Sequence, residues 1–483
     1  MRFLTIYDFI LPIAYIVLII IIANIIKNRN IKENEVYKYF IWGLMAKIIG
    51  GIGVVLIYCF YYVGGDTIAY FEQIEMLNKI ALRSFSTYLS VISGNLSNEN
   101  LSIFIANAGW PMYWKDPQSF SVIRFSSLMG WIGANSFIPT TIIVATMTYT
   151  GIWRMFLLMV EQFKEIKKNI AIAILFMPSV FFWGSAILKD SYTLCAACWF
   201  VVSIYYILIK KRKVTFHVIA LLLSIYILIS LKPYIFFACA AATTLMVAHY
   251  YLKTTTNVVL KYTVMPFLVV SVIIAGTYSI TQMGSTIGGE YSSVDAMLNK
   301  IAVMQQDLIQ DYYGGNTFDI GRFEPTIPGV LSKAPAAIIA GTFRPFLWEC
   351  RNPIMMISGI ENTVILFLFL YVILLSVTAA FKIGLGYMWK TTFDNSLVIF
   401  SLVFAFSFAF FVGISTANFG ALVRYKIPLI PFLMASLFII IRKYNREKEE
   451  DIAKRKAEKE ANEAKRNTPS PRKPGGFVFP YKS

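Results

Sequence analysis

Hydrophobic positions in this chain come in long unbroken runs, not in the alternating or every-third-and-fourth patterns of soluble elements. Such runs lie near residues 9 to 26, 41 to 62, 136 to 160, 170 to 188, 191 to 209, 216 to 231, 234 to 252, 262 to 282, 357 to 381, 396 to 415 and 420 to 441. Runs of this kind are what helices need to cross a hydrocarbon core about 30 Å thick. The pattern predicts an all-α, polytopic integral membrane protein with about 11 transmembrane helices. The first run, Phe9 to Ile26, has no small-residue cleavage site after it and leads into a basic loop, so it reads as a retained helix.

Polar positions between the runs set the expected orientation. Lys27, Arg29, Lys32 and Lys38, then Lys164, Lys167 and Lys168, then Lys210, Lys211, Arg212 and Lys213, then Lys253 and Lys261, then Lys382 and Lys390 occupy every second loop. Basic loops stay in the cytoplasm, which puts the N-terminus outside and the C-terminus inside. The tail from Arg442 agrees, with 13 basic and 7 acidic residues. Two domains result: a membrane domain, residues 1–441, and a basic cytoplasmic tail, residues 442–483, helical while Glu, Lys and Ala dominate and then disordered through Pro469, Pro471, Pro474 and Gly475-Gly476.

Two long loops, about 63–120 and 283–353, then face outward, too long to be mere connectors. The first opens with Gly64-Gly65-Asp66, continues as an amphipathic helix from Thr67 to Arg83 expected on the bilayer surface, and carries the aromatic stretch Trp110-Pro111-Met112-Tyr113-Trp114. A half-length apolar piece, Phe120 to Gly133 with Arg124 inside it, follows as a candidate re-entrant segment. The second loop predicts a helix from Val294 to Tyr313, a Gly314-Gly315-Asn316 turn, and a stretch broken by Pro325, Pro328 and Pro335.

Composition narrows the function. With 57% hydrophobic and 15% charged residues and a mean hydropathy of +0.62, a soluble multidomain protein is excluded. The net charge of +17 is spread over loops and tail, where orientation and anionic lipid account for it, so nucleic acid is not an expected partner. Of the five cysteines, Cys59, Cys195, Cys198 and Cys239 fall in apolar runs and only Cys350 in a long loop, which implies no disulfide framework. His217 and His249 map to cytoplasmic helix ends, away from the long loops, and no HExxH, Walker A or strand-to-helix GxGxxG is present. The acidic set Glu290, Asp295, Asp307, Asp311, Asp319 and Glu324 lacks a metal-loop spacing and reads as a solvated face, so neither metal nor cofactor is expected.

What remains is a set of cations at the ends of runs on the outward side, where basic residues are selected against: Lys189, Lys232, Arg344, Arg351, Arg424 and Lys426. Fixed cations beside lipid suit an anionic partner, and phosphate is the natural one for arginine's planar fork. Asp66, after two glycines at the outer end of the second run, reads either as a general base or as a helix N-cap. In Trp183-Gly184-Ser185-Ala186-Ile187-Leu188-Lys189-Asp190-Ser191, two runs are joined almost without a loop after a break at Pro178. There Lys189 is either a phosphate ligand beside a capping Asp190 or part of a hydrophilic hairpin tip. Lys232-Pro233 repeats this arrangement. Arg344 and Arg351 either bind an anion or pair with Glu349 or Glu361, and Arg424 and Lys426 lie about one turn inside the last run, where they need a cavity or an anion.

Val63-Gly64-Gly65-Asp66 with Tyr70 and Phe71, the Phe182-Trp183-Gly184-Ser185 to Lys189-Asp190 hairpin, Lys232, and Arg424-Tyr425-Lys426 with Pro428 and Pro431 form a layout over residues 40–441 that resembles the EpsG-like and Wzy-type polysaccharide polymerases of bacterial inner membranes. These belong to the polyprenyl-phosphate-dependent membrane glycosyltransferases, which tend to carry Arg where this chain has Lys189 and His in the region of Lys232. The resemblance implies a reaction on the external face of the bacterial inner (cytoplasmic) membrane, in which a glycan on undecaprenyl diphosphate is transferred to another lipid-linked unit. It implies that Lys189, Lys232, Arg344, Arg351, Arg424 and Lys426 hold phosphate and that Asp66 or Asp190 activates the acceptor hydroxyl. Its partners would be undecaprenyl-diphosphate-linked glycan, membrane lipid and other polysaccharide-assembly proteins. The rival readings are a transporter or flippase for a lipid-linked or anionic solute, which predicts internal repeats and broken helices, and a membrane component of envelope assembly.

Overall fold

The computed structural model describes residues 3–256, 293–308 and 316–467. Its helices are α1 (Tyr7–Asn30), α2 (Phe40–Ile57), α3 (Asp66–Arg83), α4 (Phe85–Ser93), α5 (Asn98–Ala108), α6 (Pro117–Ile132), α7 (Phe137–Gln162), α8 (Lys167–Leu175), α9 (Pro178–Trp183), α10 (Lys189–Ile204), α11 (Val214–Leu231), α12 (Pro233–Thr254), α13 (Val294–Leu308), α14 (Ile327–Ser332), α15 (Ala334–Phe343), α16 (Pro353–Lys382), α17 (Leu385–Phe393), α18 (Ser396–Ser415), α19 (Phe419–Tyr425) and α20 (Ile430–Asn467). No strand forms among the described residues; one isolated antiparallel bridge joins Thr317 and Asn418. The protein is an all-α, multi-pass membrane protein.

Nine helical stretches among the described residues are long and apolar enough to cross a membrane: Tyr7–Asn30, Glu35–Tyr62, Phe137–Gln162, Lys189–Lys210, Val214–Leu231, Pro233–Thr254, Pro353–Lys382, Ser396–Ser415 and Phe419–Arg446. Each corresponds to one of the expected runs. Of the other two, 262–282 lies outside the described residues, as do Glu290, Asp311, Gly314-Gly315 and the chain beyond Asn467. The run 170–188 is not one helix. Met177 precedes Pro178, whose ring disfavours helical backbone before it, and Met177 is extended (φ −66°, ψ 123°), so α8 stops and α9 starts afresh. The short α9 packs against α2, where a Cβ on Gly50 would sit 2.0 Å from the Phe181 carbonyl oxygen; only glycine permits that approach.

Side-chain contacts sort the loops into two ends. Lys167 pairs with Glu35, Lys210 with Glu161 at 2.8 Å and Lys253 with Asp394 at 2.5 Å, and the Tyr444 hydroxyl lies 2.9 Å from Thr392 Oγ1, so the basic loops and the start of the tail share one end. The helix α20 runs unbroken from the core through that end into the charged tail. At the opposite end sit α3 to α6 and the segment around Asn316 to Phe343. The amphipathic helix appears as α3, with Ile74, Leu77 and Ile80 fully buried. It packs chiefly on α6, so its apolar face meets protein and not bare bilayer. The piece Phe120 to Gly133 forms most of α6, a 16-residue helix packed between α3 and α7, with Gly133 as its C-cap.

Candidate functional site

Five separate segments bring charge to one point at the end opposite the tail. The second span closes in a π-helical turn, Tyr58–Tyr62, after which Val63 takes a left-handed conformation (φ 53°, ψ 40°) unusual for a β-branched residue. Gly65 follows at φ +112°, and a Cβ there would lie 2.7 Å from Tyr58 Cε1. The N-cap of α3 is Gly65, which leaves Asp66 in the first helical turn with its carboxylate free to reach across the bundle. Likewise the N-cap of α10 is Leu188, not Asp190. Lys232 is the N-cap residue of α12, with Pro233 opening the helix as its fixed φ allows. Arg424 comes from α19, and α20 resumes after the interruption at Lys426 to Leu429.

These residues form an alternating chain of charge. Lys232 Nζ donates to Asp190 Oδ1 at 2.5 Å. The other oxygen of Asp190 lies 3.7 Å from Arg424 Nε, and Arg424 Nη1 reaches Asp66 Oδ2 at 2.8 Å. The same nitrogen donates to the Tyr58 hydroxyl at 3.1 Å. The Tyr425 ring lies beneath both cations, 4.4 Å from Lys232 Nζ and 5.2 Å from the Arg424 guanidinium carbon. Side-chain exposure grades along the chain, from 3% at Asp190 and 6% at Lys232 through 14% at Arg424 to 41% at Asp66. The buried half is fixed by pairing; the outer carboxylate meets solvent.

Lys189 stands at the rim, 3.9 Å from Asp116 Oδ2. Asp116 caps α6, accepting from the Gln118 and Ser119 amides at 3.1 Å each and from Ser119 Oγ at 2.5 Å. Burial opposes its ionisation, but Lys189 and these donors outweigh it and hold the carboxyl below its ordinary range. Tyr70 and Tyr113, with ring centroids 5.1 Å apart, line the same side. Burial and the Asp66 carboxylate push the Tyr113 hydroxyl up to about 12 and the Tyr70 hydroxyl further, so both stay protonated as donors.

The structure separates the other three cations expected at the site. Arg344 clasps Glu349, with Nε 3.0 and 3.2 Å from its two carboxylate oxygens, and stacks over Phe318 at 4.7 Å. Arg351 is exposed and has no ion pair among the described residues. Lys426 is enclosed, with Nζ 3.2 Å from the Thr342 carbonyl, 2.9 Å from the Arg344 carbonyl and 2.5 Å from Asn362 Oδ1. An ammonium has three donors, and all three are occupied. Glu361 pairs with neither arginine; it accepts from the Ser179 amide at 2.9 Å and from its hydroxyl, fixing the start of α9.

Three contributors lie beyond the residues singled out from the sequence. Tyr58 is one aromatic residue among many in apolar runs, without a signal of its own. Asp116-Pro117 has the form of a helix start, an Asp before a proline, and was legible as one. Lys47, alone in the second apolar run, was the clearest missed signal. It is buried, donates to the Gly184 carbonyl and lies 3.4 Å from Ser185 Oγ, which braces the hairpin carrying Lys189 and Asp190. Among the described residues no three His, Cys, Asp or Glu side chains are grouped to hold a metal. Comparison with known proteins returned no matching family model, curated protein or solved structure.

Proposed function

We propose that the chain is a glycosyltransferase of the bacterial inner membrane, a polymerase that joins undecaprenyl-diphosphate-linked glycan units on its external face. One observation carries this reading: a solvent-reaching carboxylate, Asp66, is held by an arginine only 14% exposed within a membrane bundle, with the rim cation Lys189 acting on it electrostatically from nearby. The diphosphate of a lipid-linked donor is the ligand that would lie across Arg424 and Lys189 with its prenyl chain in the bilayer. By drawing Arg424 toward phosphate it releases Asp66. The acceptor hydroxyl oxygen then bonds to the anomeric carbon, its proton passes to Asp66, and the bond from that carbon to the diphosphate oxygen breaks. Arg424 and Lys189 hold the charge left on the diphosphate. Asp190 and Lys232 position Arg424 from behind. Lipid and other polysaccharide-assembly proteins are the remaining partners in this reading.

The interrupted helices, α8 to α9 and α19 to α20, favour a second reading, a transporter or flippase for the same class of anionic lipid. One experiment separates the two. A strain lacking the gene is complemented with wild type, Asp66→Asn or Arg424→Ala, and both surface-glycan length and undecaprenyl-linked units are measured. The polymerase reading expects short glycan and single units exposed on the outer face. Units trapped inside support the flippase. Unaltered glycan with either variant at normal membrane levels refutes both.

A further inference from the structure

A second polar site lies at the opposite, tail end of the bundle. A cavity of about 510 Å³ opens there between α7, the end of α10 and the start of α11, lined among others by Arg154, Tyr206, Arg212, Lys213, Phe216 and His217. Its shape comes from a second π-helical turn, Tyr205–Lys210, and from Lys211 and Lys213, which both take left-handed backbone (φ 52° and 49°). The Arg212 amide donates back to the Tyr206 carbonyl at 3.2 Å. The His217 ring is stacked on Tyr206 with centroids 4.6 Å apart, and Arg154 lies over Trp199 at 5.8 Å.

Two features point to a ligand. His217 is 95% buried, at 5% exposure, and its Nδ1 has no hydrogen-bond partner, although an unmet buried polar atom is costly. Arg154, Arg212 and Lys213 have no ion pair among the described residues, and the nearby acid, Glu161, is engaged by Lys210 at 2.8 Å and by the Tyr206 hydroxyl at 3.2 Å. The cavity therefore presents uncompensated positive charge, with an unpartnered imidazole nitrogen buried in its wall. Beside it α11 turns Phe216, Ile219, Leu222 and Leu223 outward, an apolar track fit for acyl chains.

We propose that this cavity binds a phosphate group, and that the phosphate is the headgroup of an anionic phospholipid whose chains lie along α11. The site is separate from the Asp66 cluster and does not depend on the function proposed for it. Basic pockets between spanning helices recognise anionic headgroups in this manner, each cation contributing about fivefold in binding. The test is native mass spectrometry of the full-length protein, delipidated and then offered phosphatidylglycerol, phosphatidylcholine or inorganic phosphate. Wild type is expected to retain phosphatidylglycerol in preference to phosphatidylcholine. The exposed pair Arg212→Glu with Lys213→Glu should lose it by roughly twentyfold or more, and His217→Leu by a smaller factor. Lys164→Glu with Lys168→Glu, at the same end but not among the residues that line the cavity, should retain it. If inorganic phosphate alone binds and is lost in the same variants, the phosphate site stands and its source is soluble. Equal retention of phosphatidylglycerol and phosphatidylcholine, without phosphate binding, overturns the proposal. So does equal loss in the Lys164 and Lys168 control. Should either cavity variant fail to fold, Arg154→Gln, on the exposed face of α7, supplies the same comparison.

Discussion

Replacing Asp190 with asparagine removes the one buried acid that two cations share. At an effective dielectric of about 20, unit charges about 4 Å apart attract by about 4 kcal/mol before desolvation. Lys232 lies at 2.5 Å and Arg424 at 3.7 Å from this carboxylate, with only 3% of it exposed. Asp190→Asn leaves the ammonium of Lys232 buried without a counter-charge, and truncating one partner of such a pair costs about 3–5 kcal/mol. Lys232→Met should cost less, about 1–3 kcal/mol, because Asp190 keeps Arg424. The double variant leaves neither charge stranded, and Arg424 retains Asp66 at 2.8 Å, so its loss should fall short of the sum by about 2 kcal/mol or more. Denaturant titration of the four purified proteins in one detergent, followed by tryptophan fluorescence, measures the cycle. Losses that add within about 0.5 kcal/mol would show that the two side chains do not act as a pair.

Arg424→Lys should fold and reach the membrane yet lower polymer output about a hundredfold, since one ammonium can replace Nη1 at Asp66 and Tyr58 but not also the Nε side facing Asp190 and the planar fork offered to phosphate; near-normal glycan length would remove the need for a guanidinium. Gly65→Ala meets both a left-handed backbone and the Tyr58 ring, and a loss of about 1–3 kcal/mol in the same titration is expected, whereas an unchanged midpoint would mean the turn relaxes freely. Asp116 has a folded-state pKa below its unfolded value, so it stabilises above the unfolded pKa and that contribution is lost as pH falls through the folded one. The midpoint difference between wild type and Asp116→Asn should therefore be present at pH 7 and shrink toward pH 3; a constant difference would exclude the linkage. Lys426→Met strands two carbonyls and the Asn362 amide oxygen, at a cost of about 1–3 kcal/mol, while glycan formed per folded molecule stays unchanged; a collapse of that ratio would return Lys426 to substrate binding.

The membrane architecture was readable because apolar runs report the solvent each helix faces, and that signal is local. Pro178 even marks where the fourth run divides into α8 and α9, since the break is a property of one ring and the residue before it. The first long loop was less legible. An amphipathic helix announces that one face must be buried but not against what, and Ile74, Leu77 and Ile80 turn out to meet α6 where a bilayer surface would have satisfied the same pattern.

In the site, the charged members were visible for an energetic reason: an ionisable group at the end of an apolar run is expensive unless something compensates it. What compensates it is long-range and invisible, as with Tyr58 and Arg424, 366 positions apart. Reading cations alone therefore suggested a positively charged receptacle. Once partners are seen, Lys189, Lys232 and Arg424 are matched by Asp116, Asp190 and Asp66, so the resting cluster has no formal net charge. A phosphate cannot simply add to such a site; it must take the place of a carboxylate. The inner pair resists exchange because Asp190 is buried between two cations, whereas Asp66 is 41% exposed and has one. Displacement then falls on the two outer carboxylates, Asp116 at Lys189 and Asp66 at Arg424; of these only Asp66 lies on the arginine, and under the proposed reaction the binding of the donor diphosphate there and the unmasking of the general base are a single event.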